Sequence, residues 1–207
     1  MTLRRGLTVV ILAAIASLIA LQTASAHRHN QTSDQTPDLG ALSDADIKAA
    51  TIHLERTHCY GSCPAYTVTI HGDGRVEYAG TKNVKVTGTQ TGRVEPEAVK
   101  RLLAQFAQAK FLAIKADYSA EKCSCSRRCT DMPSAITELT AGGVTHRVNH
   151  YYGCGCAPNA LFDLESAIDK AAQVEQWTGD VSKAGPYGTT CWGVMGALFC
   201  HGNLGLP

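Results

Sequence analysis

No basic run interrupts this sequence. Its 19 lysines and arginines are scattered among 18 acids over 207 residues, a net charge of +1 with histidine neutral. Nucleic-acid binding and adhesion to anionic membrane therefore lack the electrostatic footprint they require. A membrane-spanning run is missing too, because the uncharged apolar stretch 7–21 falls short of the twenty or so residues a bilayer needs. The familiar signatures of hydrolase, zinc-protease, nucleotide and calcium chemistry are also absent: GxSxG, HExxH, a phosphate-cradling glycine loop and the acidic calcium series. Asp117, Asp131 and Glu138 are scattered carboxylates that read as solvated surface. An enzyme is not the leading reading.

What the N-terminus does contain is an export signal. Arg4 and Arg5 precede the apolar run, and Ala24-Ser25-Ala26 supplies the small residues a signal peptidase accepts. No cysteine stands at the cleavage point to carry a lipid. Residues 1–26 are expected to be removed, leaving a soluble periplasmic or extracellular chain that begins at His27. Removal takes two arginines and no acid, so 19 and 18 become 17 and 18, a charge of about −1. The remaining chain suits one domain able to bury roughly two thirds of its unfolded surface.

Residues 27–44 are polar and without period, a disordered linker. From Thr51 the pattern alternates: Ile52 and Leu54, then Tyr66, Val68 and Ile70, then Val76 and Tyr78 after the turn Gly72-Asp73-Gly74. A further strand is expected within 84–94. Pro96 opens a helix whose stripe is Val99, Leu102, Leu103 and Phe106. The same order returns in a hairpin over 135–140 and 144–151, followed by a helix opened by Pro158 with the stripe Leu161, Leu164, Ile168 and Ala172. The predicted fold is α+β: an antiparallel sheet built from two hairpin-plus-helix units, both helices on one face, stapled by disulfides. The domain spans 45–177, and 178–207 is a glycine-rich tail closed by Cys191 and Cys200.

Several stretches together, "LERTHCYGSCPAYTVTIHGDGRVEYAG", "TDMPSAITEL", "HYYG" and "APNALFDLESAIDKAAQVEQW", resemble the bacterial domain of unknown function 6438 family over about 51–177. The resemblance implies an exported α+β domain with no established activity, so no catalytic residue carries over. Two segments depart from the family's pattern by carrying additional cysteines, "EKCSCSRRC" and "GCGCAP".

All nine cysteines lie beyond the signal: 59, 63, 123, 125, 129, 154, 156, 191 and 200. In an exported chain they read first as disulfides, and the odd number leaves one thiol free or paired between molecules. Cys59 and Cys63 enclose three residues and lead into a strand, unlike a thioredoxin-type pair, and read as a staple. Cys129 and Cys154 emerge from the same end of the second hairpin, which brings Cys123, Cys125 and Cys156 near them. At least one bridge is expected between the 123–129 group and the 154–156 pair. Two other readings of this cluster stand beside it: a self-closed, exchangeable Cys154–Cys156 bridge, or four thiolates holding zinc.

Histidines supply weaker metal candidates. His146 and His150 share a strand face. His27 and His29, with the processed amine, offer a nitrogen set suited to copper(II) or nickel(II). No cofactor is required by any motif. The functional expectation is a disulfide-stabilised binding or accessory module of the cell envelope, its ligand an envelope protein or a small molecule. The alternative is a thiol-redox or metal-binding protein (zinc or copper) working through Cys123–Cys129 and Cys154–Cys156. A groove lined by His146, His150 and neighbouring tyrosines would instead indicate an enzyme.

Overall fold

The computed structural model describes residues 37–125 and 129–179. His27, His29, Cys191, Cys200, the signal and the tail beyond 179 lie outside the described residues. A seven-stranded sheet forms the frame: β1 (Thr51–Arg56), β2 (Ala65–His71), β3 (Arg75–Lys82), β4 (Gly88–Arg93), β5 (Asp117–Tyr118), β6 (Ser134–Ala141) and β7 (Val144–Tyr151). Their spatial order is β4-β3-β2-β1-β6-β7-β5. Among the described residues four helices accompany them: α1 (Asp44–Ala49), α2 (Pro96–Gln108), α3 (Asn159–Ala172) and α4 (Glu175–Thr178). The fold is α+β. Among the described residues, no helix is long and apolar enough to cross a membrane.

The sheet is mixed, which corrects the expectation of an antiparallel one. Five of its pairings are antiparallel, but β5 runs parallel to β7, pairing Asp117 with Asn149 and Tyr118 with His150. The cause lies in the chain after α2, which passes through the turn Phe111–Ala113 and reaches the β7 edge already heading in that strand's direction. Two residues carry too little period to announce a strand.

Period-two burial explains which face is covered. Ile52, Leu54 and Arg56 of β1, Tyr66, Val68 and Ile70 of β2, and Val76 and Tyr78 of β3 are buried, while their odd-numbered or even-numbered alternates are more exposed. The stripes Val99, Leu102, Leu103 and Phe106 of α2 and Leu161, Leu164, Ile168 and Ala172 of α3 join the same core. Gly74, at φ +85°, closes the β2–β3 turn where a side chain would also strike the Val94 carbonyl. Trp177 stacks on Tyr78 at 4.9 Å and ties α4 to β3. Within the stretch read as a linker, Asp38 caps a single turn over Leu39–Ala41, Leu39 is buried, and a Ser43–Asp46 capping box starts α1.

Candidate functional site

The strand registers bring the chemistry to one end of the sheet. β1 ends at Arg56 opposite Tyr66 on one side and Ala135 on the other, and Ala135 in turn faces His150. The loop 57–64, the start of β6 and the turn after β7 therefore share that end. On its helix-covered side lies a buried polar network, and at its rim lie the disulfides.

The network links six side chains. The Arg56 guanidinium donates from Nε (2.9 Å) and Nη2 (2.6 Å) to Asp169 Oδ2, and from Nη1 to the Tyr152 hydroxyl at 2.5 Å. Tyr66 donates to Asp169 Oδ1 at 2.7 Å. Tyr152 passes its own proton toward Glu165 Oε2 at 2.6 Å, and His150 Nδ1–H donates to Glu165 Oε1 at 2.8 Å. The other His150 nitrogen, Nε2, is buried without a hydrogen-bond partner, and the ring meets Phe162 edge-on at 4.2 Å. Glu165 and His150 are fully buried, Arg56 nearly so.

Burial sets the electrostatics. It pushes the Tyr152 and Tyr66 phenols well above their usual range, with the Glu165 and Asp169 charges adding to the effect. Burial likewise raises Asp169, although Arg56 opposes it. For Arg56 burial works against the charge, yet Asp169, the two tyrosines and Glu165 outweigh it and hold the guanidinium charged. Tyr152 thus stays a neutral donor between a cation and a carboxylate. Desolvation on the Asp169 side is only partly repaid, as is common for buried ion pairs. The network fastens α3 to β1, β2 and β7.

The histidines of the sequence reading are not brought together. They are four strand positions apart, roughly 13 Å, and each has its own partner. His146 Nε2 bonds the Ile114 carbonyl at 2.9 Å and its ring meets Phe111 edge-on, whereas His150 serves Glu165. His150 is covered by α3 rather than lining a groove.

At the rim, Cys59 and Cys63 form a disulfide whose loop is held by Asn83 Nδ2 to the carbonyls of Gly61 (3.2 Å) and Cys63 (3.1 Å). Its tip, Tyr60, donates its backbone N–H to the Asp131 carbonyl at 3.1 Å and is 73% exposed. Cys123 bridges Cys154, and Cys125 bridges Cys156, so the Cys154-Gly155-Cys156 pair does not close on itself. Cys129 is disulfide-bonded as well. Gly153 lets the chain pass: a Cβ there would overlap the Cys129 carbonyl and the Tyr151 ring. Tyr151 itself donates to the Cys129 carbonyl at 2.9 Å and accepts from the Met132 N–H at 3.2 Å.

The two neighbouring bridges touch. Cys123 Sγ lies 3.2 Å from Cys125 Sγ, Cys125 Sγ lies 3.4 Å from Cys154 Sγ, and Cys154 Sγ lies 3.5 Å from Cys156 Sγ. All four sulfurs fall within 4.8 Å of one another. Such an arrangement is able to exchange bridges or, reduced, to surround a cation.

Sequence reading did not single out Arg56, Glu165 or Asp169. A signal was present: Arg56 continues the inward row of Ile52 and Leu54, and Glu165 falls inside the apolar stripe of α3, with Asp169 one turn on. Charged residues at core positions must be paired. Among curated proteins no match is found. The family comparison is positive: residues 50–172, more than half of the chain, match the family described as domain of unknown function DUF6438, and the chain belongs to that family.

Proposed function

We propose that the chain is an exported binding or accessory module of the cell envelope, cleaved near Ala26, whose working surface is the disulfide-bound end of the sheet. The observation supporting this reading is Tyr60. It is the large hydrophobic side chain left exposed among the described residues, and it stands on a loop closed by Cys59–Cys63 and pinned by Asn83. An aromatic held this way loses little freedom when a partner covers it. The same proposal reads the sheet as two hairpin-plus-helix units, β2–β3 with α2 and β6–β7 with α3, joined through β1.

The test is a photo-crosslinking residue at position 60 in the natively exported protein, with position 91 on the exposed β4 edge as control. A discrete adduct from position 60 alone is expected. Equal labelling at both positions, or none, refutes the reading, and so does an N-terminus other than His27. A second reading, thiol-redox or metal binding, is favoured by a separate observation: four sulfurs within 4.8 Å at the same rim.

A further inference from the structure

We propose that Cys123, Cys125, Cys154 and Cys156 form a two-state centre: two touching disulfides when oxidised, and a tetrathiolate site for a zinc-type divalent cation once a dithiol has reduced them. This rests on the thiol-redox or metal reading and commits it to four named sulfurs.

Stapling alone does not account for the arrangement. Both bridges join positions 31 residues apart, offset by two. Once one has closed that loop, the other restricts almost no additional chain, so its entropic contribution is small. Two bridges in one place are redundant as a staple. As a store of four thiols they are not.

The geometry is close to what a cation needs. A tetrahedron with Zn–S bonds of about 2.3 Å has sulfurs roughly 3.8 Å apart. The contacts between the bridges are 3.2, 3.4 and 3.5 Å, and every pair lies within 4.8 Å. Opening both bridges therefore calls for shifts of well under the width of a sulfur atom. The backbone carrying them is held independently: the Cys154 N–H bonds the Tyr151 carbonyl and the Cys129 N–H bonds the Gly153 carbonyl, each at 2.9 Å. Four thiolates are the donor set that favours zinc over magnesium or calcium.

Burial gives the order of opening. Cys156 is exposed and Cys125 half-buried, while Cys123 and Cys154 are buried. A dithiol's thiolate attacks Cys156 Sγ, the Cys125–Cys156 bond breaks, and Cys125 leaves as thiolate. The reductant's second thiol then displaces Cys156, becoming a cyclic disulfide; two electrons and two protons have been transferred. The Cys125 thiol, 3.4 Å from Cys154 Sγ, loses its proton and attacks as thiolate, forming Cys125–Cys154 and releasing Cys123 as a thiolate that takes up that proton. The reducible bridge now includes the half-buried sulfur. A second dithiol reduces it with two more electrons and two protons. Binding of the cation releases the four thiol protons.

The test uses the full exported chain. It is treated with dithiol under mild, non-denaturing conditions, desalted anaerobically and titrated with Co²⁺. Free thiols are counted by alkylation and intact mass, and fold is followed by far-UV circular dichroism. The expected result is four thiols released together with the fold retained, one equivalent of Co²⁺ bound with tetrahedral thiolate absorption, and displacement of the colour by Zn²⁺. Cys156→Ser should abolish the absorption, whereas the double variant Cys59→Ser/Cys63→Ser keeps it. Four free thiols without tetrahedral cobalt overturn the two-state centre and leave the redox reading standing. Bridges that open only on denaturation, or a fold lost on opening them, overturn both.

Discussion

Replacing Arg56 by methionine tests whether the buried network is a real fastening. The guanidinium side chain is 2% exposed and Asp169 17%. Methionine fills most of its volume and leaves Asp169 with the Tyr66 hydrogen bond alone. Breaking one side of a buried pair costs about 3–5 kcal/mol, and the residual exposure and Tyr66 place this case near 3 kcal/mol. For a domain of this size that lowers Tm by roughly 6–12 °C. The double variant Arg56→Met/Asp169→Leu should recover most of the loss, because Asp169 is then no longer left as a buried charge without its cation, while Glu165 keeps its bonds from Tyr152 and His150. The pH dependence supplies a sign. A carboxyl whose folded-state pKa is raised favours folding fully below its unfolded value of 3.8, and that contribution is lost as pH rises through the folded-state value. Without Arg56 the rise is larger, so the deficit of the single variant should shrink as pH falls toward 4. Urea unfolding with the bridges intact, repeated across that range, measures all three quantities. A loss under about 1 kcal/mol, a double variant no better than the single one, or a deficit that grows in acid would refute the argument.

Three other outcomes are expected. Cys59→Ser/Cys63→Ser should cost about 2 kcal/mol by loop entropy, read as a lower Tm, and an unchanged melting curve would deny the bridge its stapling role. His53, whose Nδ1 bonds Thr69 Oγ1 at 2.9 Å, has its pKa lowered chiefly by burial; its contribution to stability is present above 6.5 and lost as pH falls through the folded-state value. His53→Gln should therefore flatten the stability profile just below pH 6.5, and an unaltered slope there would count against this assignment. Gly153→Ala forces a Cβ into the Cys129 carbonyl and the Tyr151 ring; a loss of about 1–3 kcal/mol with faster exchange of the Cys129 amide is expected, against no change if that close approach is unimportant.

The sheet and its two main helices could be read because each element repeats one rule along its length: alternation in Ile52–Leu54 and Tyr66–Ile70, the helical stripe in Val99–Phe106 and Leu161–Ala172. β5 escaped because two residues have no period, and with it went the mixed character of the sheet. The polar network escaped for another reason. Arg56 lies about one hundred residues before Tyr152 and Asp169 in sequence, and the β1–β6 and β6–β7 registers bring it to them. The cysteine cluster was partly legible, since hairpin geometry places positions 129 and 154 at one end, but which sulfur meets which depends on loop conformation that spacing does not encode.

The central place of β1 has a consequence for how the chain assembles. β1 pairs with β2 across a short loop, but its other neighbour, β6, lies roughly eighty residues downstream, a non-local pairing that folds slowly. The β1-to-β4 meander can therefore form early, with Cys59–Cys63, separated by four positions, closing inside it. Its open β1 edge then waits for the β6–β7 hairpin to arrive, exposed to pairing with other chains in the meantime. Arg56 is at that edge, and its partners Tyr152 and Asp169 come only with the late hairpin and α3. The buried charge thus acts as a checkpoint: a wrongly paired edge strands a guanidinium in apolar surroundings, and only the native arrival of the second half neutralises it.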